Sequence, residues 1–199
     1  RTIKQFQDDR ESLIPPAHHP VQADSHGVSI ENLNLEKLDL GPPLVAEITG
    51  MVEGLADQVN GGYGTQFKFL HAEANEFLLY LFETTGEAGY LDHVVLTLEK
   101  MRRSRTFDDK DGGFFRYSSQ PDWNEPHPEK LLEDQAALLS TCLHAYLLTG
   151  GPSHRETAEG LCDYLNVTLW DSAAGAFFGC QDYVRQKGQL TEGQLTEGQ

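Results

Sequence analysis

Three glycine-led aromatic segments, Gly61-Gly62-Tyr63-Gly64, Gly112-Gly113-Phe114-Phe115 and Gly175-Ala176-Phe177-Phe178, constrain this 199-residue chain more than any other feature. They follow the first, third and fifth of five amphipathic segments, and their starts (61, 112, 175) lie 51 and then 63 residues apart. A period of that size is one helical hairpin per repeat, so the chain reads as an array of helix pairs. Each repeat comprises an outer helix, an inner helix and a Gly-aromatic excursion. The excursions are too short for a sheet and are expected to form small β-hairpins on one rim.

The helices follow from apolar spacing. Leu44 to Asn60 places Leu44, Ile48, Met51, Leu55 and Val59 on one face and stops at Gly61-Gly62. A second helix is expected over Ala72–Thr85 and a third over Ala88–Ser104. A fourth, Pro128–Thr149, starts with proline in its first turn and lines Leu131, Gln135, Leu138, Leu139, Cys142, Tyr146 and Leu147 along a face. The fifth spans Ser153–Leu169, with Ser153 and Glu156 as a capping box. Residues 1–42 read as a short N-terminal helix and a Pro/Gly-rich linker, 43–184 as the helical-hairpin domain, and 185–199 as a low-complexity tail, either disordered or an irregular arm. The expected fold is all-α: stacked helical hairpins with short β-hairpin excursions on one rim.

Composition removes several classes of function. With 15 Lys+Arg against 31 Asp+Glu, the net charge of −16 repels a phosphate backbone. The densest basic cluster, Lys100 to Arg105, sits where a helix C-terminus favours cations, so neither nucleic acid nor an anionic membrane surface is expected as a partner. Cys142, Cys162 and Cys180 have no C-x-x-C spacing; a zinc site and a redox pair are unsupported, and free thiols fit a reducing, cytoplasmic setting. No run of 18 apolar residues offers a membrane span. No cofactor and no metal is expected. His18, His19 and the Phe107–Asp111 run lack ligand spacing.

Reactive side chains crowd Gly112–Gln135, a loop entering the fourth helix. His127 stands just ahead of the expected helix start, and its imidazole suits proton transfer. Glu129 in the first turn, or Asp134 one turn deeper and alongside Lys130, would be its partner carboxylate. Arg116 would clamp a carbonyl or carboxylate, or pair with Glu129 or Asp134 instead. Tyr117 and Trp123 would hold the ligand, Trp123 having the alternative of plugging the loop onto the core. Tyr63 and Lys68 occupy the matching place one repeat earlier and would face the same mouth.

Gly61-Gly62-Tyr63-Gly64 with Lys68-Phe69, then Gly112-Gly113-Phe114, Arg116-Tyr117-Ser118, Trp123, Pro126-His127, Glu129-Lys130 and Asp134, resemble the two signatures of the spermatogenesis-associated protein family. Its bacterial members are thioredoxin-domain proteins of unknown function. The resemblance covers roughly residues 55–150. It implies an (α/α)6 toroid similar to N-acylglucosamine 2-epimerases and six-hairpin glycosidases, a carbohydrate ligand, and epimerase, isomerase or glycosidase-like chemistry. It also implies that residues 1–14 are the last helix of a thioredoxin-like domain. The family's aromatic residues are replaced by Pro128 and Glu133, and five helices cannot close a twelve-helix ring. A fragment contacting missing domains, or a homo-oligomer, is therefore expected. The alternative function is a non-catalytic scaffold or protein-interaction module.

Overall fold

The computed structural model describes residues 41–186 and 189–196, with side chains as far as Asp182. The expected N-terminal helix, the linker and His18-His19 lie outside the described residues. Contacts divide the chain into Arg1–Leu44 and Val45–Gln199. Five α-helices occur among the described residues: α1 (Pro42–Leu55), α2 (Ala72–Thr85), α3 (Ala88–Arg103), α4 (Leu132–Thr149) and α5 (Pro152–Tyr164). A π-helical turn, Leu165–Leu169, extends α5. The strands are short: β1 (Lys68–Phe69), β2 (Tyr117–Ser118), β3 (Glu129–Leu131), β4 (Trp170–Asp171) and β5 (Ala176–Phe177). The last two are longer, β6 (Cys180–Gln186) and β7 (Gln189–Thr196).

α2 and α4 pack on each other, α3 packs on α2 and α5 on α4, so α2–α3 and α4–α5 are the stacked hairpins. Leu79, Val94, Met101, Leu138 and Leu161 fill the space between them without measurable exposure. Gly86 and Gly150 end α2 and α4 in the left-handed conformation, donating to the Phe82 and Tyr146 carbonyls at 2.8 Å.

Four expectations are corrected. The apolar stripe of α1 is not core: Ile48, Met51 and Leu55 are 38, 62 and 57% exposed, and α1 has no buried residue. α4 begins at Leu132, because residues 129–131 pair with β6 as a strand instead of making a first turn. Gly151 caps α5 with Pro152 following, so the Ser153–Glu156 box does not form. Gln189–Thr196, within the tail expected to be disordered or irregular, pairs antiparallel with β6.

The Gly-aromatic excursions are three copies of one turn. In each, an aspartate carbonyl accepts from the glycine four residues on: Gly61 to Asp57 (2.9 Å), Gly112 to Asp108 (2.9 Å) and Gly175 to Asp171 (2.8 Å). The same carboxylates accept amides within the turn, from Val59 and Asn60, Lys110 and Asp111, Ala173 and Ala174. A longer bond closes each copy: Gly64 to Leu55, Phe115 to Thr106, Phe178 to Leu169, all at 2.8 Å. The glycines are required by geometry. Gly113 has φ 76°, and a Cβ there would lie 2.9 Å from the Tyr164 ring.

Candidate functional site

The first two turns hold an internal cation. Lys68, fully buried, donates to Asp57 Oδ2 at 2.7 Å and to the Gly61 and Gly64 carbonyls at 3.1 and 2.6 Å. Lys130, also fully buried, donates to Asp108 Oδ2 at 2.7 Å and the Gly112 carbonyl at 2.6 Å, beneath the Phe115 and Tyr164 rings. Burial would raise the Asp57 carboxyl, but the Lys68 ammonium and the turn amides outweigh it and hold it well below the usual range. Asp108 is lowered for the same reasons, with Lys130 as its cation. Both lysines are therefore anchors of the fold.

Those anchors determine what their neighbours face. Side chains alternate along a strand. Lys68 pairs with Ser118, and Lys130 with Gln181, and all four are fully buried. The intervening positions turn the other way. Phe67 and Phe69 are 55 and 41% exposed, Tyr117 is half-buried opposite Phe69, and Glu129 stands opposite Asp182. The outward side chains form a row of rings. Phe69 lies 4.9 Å from Tyr117, and Tyr117 stacks on His127 at 4.7 Å and 20°. His71 joins the row 6.0 Å from Phe69, with φ 43° at the N-cap of α2. A left-handed histidine is uncommon backbone geometry.

Beside this row stands a charged cluster. Arg116 Nη1 donates to Glu129 Oε2 at 2.9 Å, and His127 Nδ1 lies 3.9 Å from that oxygen. His127 Nδ1 and Asp134 Oδ2 are buried atoms without a hydrogen-bond partner. Burial, then repulsion from Glu133, pushes the Asp134 carboxyl up to about 6, with Glu73 and Glu129 adding to it and Arg116 opposing. Asp134 thus keeps its proton in mildly acidic solution, up to about pH 6. Glu129, Cys180 and Asp182 each offer a ligand atom within 4.8 Å of the others, the one such group among the described residues, but Arg116 already occupies Glu129.

The expected site residues divide cleanly. His127, Glu129, Arg116 and Tyr117 come together, with Asp134 close enough to feel Arg116 and Glu129. Tyr63, Lys68 and Trp123 do not join them. Tyr63 is 6% exposed and donates its hydroxyl to Asn75. Lys68 is bound as described above. Trp123 is fully buried, packs on Gly62 and donates its indole N–H to the Asn60 carbonyl, so the plug alternative holds. Glu129 lies in β3, not in a helix turn, and the partner of Lys130 is Asp108, not Asp134. Sequence reasoning missed Phe67, Phe69 and His71. Placing Lys68 inward would have found the two phenylalanines through strand alternation.

No family model matches the chain. It is 34% identical to human spermatogenesis-associated protein 20 over 130 residues, 63% of this chain and 16% of that protein. The mouse protein is 29% identical over the same length. The chain thus spans about a sixth of the curated relatives it matches. Among solved structures it resembles a glycoside hydrolase family 76 mannosidase of Bacteroides thetaiotaomicron, with TM-score 0.61 and 16% identity over 78% of this chain and 44% of that one. It also resembles the cellobiose 2-epimerase of Bacillus thermoamylovorans, with TM-score 0.58 and 16% identity over 70% of this chain and 41% of that one. At such identities the likeness is one of fold: an α/α toroid. No helix among the described residues is long and apolar enough to cross a membrane.

Proposed function

We propose that this chain, related to the spermatogenesis-associated protein family and built on an α/α-toroid fold, is a carbohydrate-binding and carbohydrate-processing domain whose ligand rests on the rim of excursions. The observation that carries the reading is the ring row Phe69–Tyr117–His127 beside a carboxyl raised to about 6. Sugars present C–H faces that stack on rings and hydroxyls that need charged partners. Phe69 and Tyr117 supply the platform, Arg116 and Glu129 hold hydroxyls, and His127 and Asp134 exchange protons with the ligand. A protonated Asp134 suits a general acid, and the unpartnered His127 Nδ1 suits a base or hydrogen-bond acceptor. The fold class, shared with epimerases and mannosidases, supports sugar chemistry without fixing the reaction.

Thermal-shift and calorimetric titration with mannose, glucose, cellobiose and mannobiose tests this. At least one should stabilise the chain, and Tyr117→Ala should weaken that ligand by about tenfold or more while leaving the melting temperature of the free protein nearly unchanged. Absence of saturable binding by every sugar would sink the reading.

A second reading has its own support. Arg116 and Glu129 are satisfied by each other, and the apolar stripe of α1 is exposed. Both features suit a non-catalytic scaffold that contacts other domains or another copy. Concentration-dependent sedimentation with no sugar binding would favour it.

A further inference from the structure

A cavity of about 300 Å³ that shares no lining residue with the ring row or the charged cluster opens between the end of α1 and the start of α3. Its lining includes the exposed Glu53 and Glu87, the half-buried Tyr90, the apolar Leu78 and Ala56, and the buried His93. His93 is only 5% exposed, and neither ring nitrogen makes a hydrogen bond of ordinary geometry. A buried imidazole in that state is uncommon, since buried polar groups are nearly always satisfied. Burial lowers its basicity, so the ring is neutral near pH 7, and the nearby Gly62 carbonyl favours a proton on one nitrogen. The other nitrogen then offers a lone pair with nothing to accept. The Tyr90 hydroxyl lies within reach of both Glu53 and Glu87, towards which it donates.

The groups facing the cavity are therefore acceptors: two carboxylates, to which the single Tyr90 proton leaves spare lone pairs, and an imidazole nitrogen. A ligand suited to them is rich in donors and positively charged, and the net charge of −16 draws such a species in. A bare metal ion does not fit. Glu53, Glu87 and His93 do not bring ligand atoms within 4.8 Å of one another, as a single ion would require. The occupant must span them with its own atoms, and the Leu78 and Ala56 side asks for a short apolar stem. The volume lies at the small end for ligand pockets.

We propose that this cavity binds a small primary amine, with its ammonium group among Glu53, Glu87 and His93 and its alkyl stem against Leu78 and Ala56. The site shares no residue with the ring row and does not depend on sugar binding there.

The test is calorimetric titration of the full chain with n-butylammonium chloride, and in parallel with n-butanol, which has the same stem without the charge. Ionic strength is held constant, because screening weakens exposed carboxylates. Saturable millimolar binding of the ammonium and none of the alcohol is expected. Glu53→Gln with Glu87→Gln should weaken that binding about tenfold, two exposed ion pairs being lost together. Both glutamates are exposed, so the double variant keeps its fold, which circular dichroism verifies. Equal binding of the alcohol, affinity unchanged in the double variant, or no saturable binding of the ammonium would each overturn the proposal.

Discussion

Replacing Lys130 by methionine isolates the force that anchors the rim. Methionine nearly matches the lysine stem in volume, so packing beneath Phe115 and Tyr164 is kept while the charge goes. Both acceptors lose a donor. The Asp108 carboxylate, 13% exposed, forfeits its 2.7 Å cation while keeping the amides of Lys110 and Asp111 within the turn. The Gly112 carbonyl forfeits a 2.6 Å donor. Removing one partner of a buried pair costs about 3–5 kcal/mol, much of it the desolvated charge left behind. Against a typical total of about 5–15 kcal/mol, that brings the domain near its unfolding threshold. Adding Asp108→Asn removes the stranded charge, and the double variant should recover at least about 1 kcal/mol relative to Lys130→Met alone. Urea unfolding followed by circular dichroism gives both numbers. A loss below about 1 kcal/mol for Lys130→Met, or no recovery in the double variant, would refute the anchor.

Three further substitutions have defined outcomes. Asp134 has a folded pKa of about 6, above its unfolded value, so the folded state binds the extra proton between roughly pH 4 and pH 6. The contribution is therefore fully present below the unfolded pKa and is lost as pH rises through about 6. Asp134→Asn should stabilise the chain at pH 7 by up to about 3 kcal/mol and flatten that part of the stability–pH curve, as thermal melts across pH will show. Gly113→Ala should cost about 2 kcal/mol or more, because it adds left-handed strain to a 2.9 Å clash with Tyr164. Gly64→Ala, with φ 78° but nothing nearer than 3.9 Å, should cost about 1 kcal/mol in the same urea assay.

The helices were legible because their periodicity reports packing directly. α2 matches its expected bounds, and α3 falls one residue short at its C-terminal end. The Gly-aromatic repeats were legible as turns on one rim, since glycine at positive φ and a buried ring recur in each of the first two. What failed did so where a partner distant in sequence decides the outcome. The α1 stripe has helical spacing, but spacing cannot say whether anything covers it. The segment Glu129–Leu131 contains good helix formers, and its pairing with Cys180–Asp182, some 50 residues later, overrides them. Lys68 and Trp123 looked like site residues because reactive side chains in loops suggest function. Their partners, Asp57 and the Asn60 carbonyl, could be found only from the folded turn.

The two lysines also explain why the working side chains are adjacent to them in sequence. In a strand, seating one residue inward turns both neighbours outward. Lys130 held by Asp108 presents Glu129 to Arg116, just as Lys68 held by Asp57 presents Phe67 and Phe69 to Tyr117. If the anchor sets the facing, then order matters more than composition. Exchanging the pair, Glu129→Lys with Lys130→Glu, conserves residue content and net charge. It nevertheless drives a carboxylate against Asp108 and places an ammonium beside Arg116. Like charges then meet at both positions, one of them buried, so the exchange should destabilise the chain by more than Lys130→Met alone. Measured in urea beside that single variant, an exchange that proved milder would mean that strand register, and not the buried lysine, aims the carboxylate at the rim.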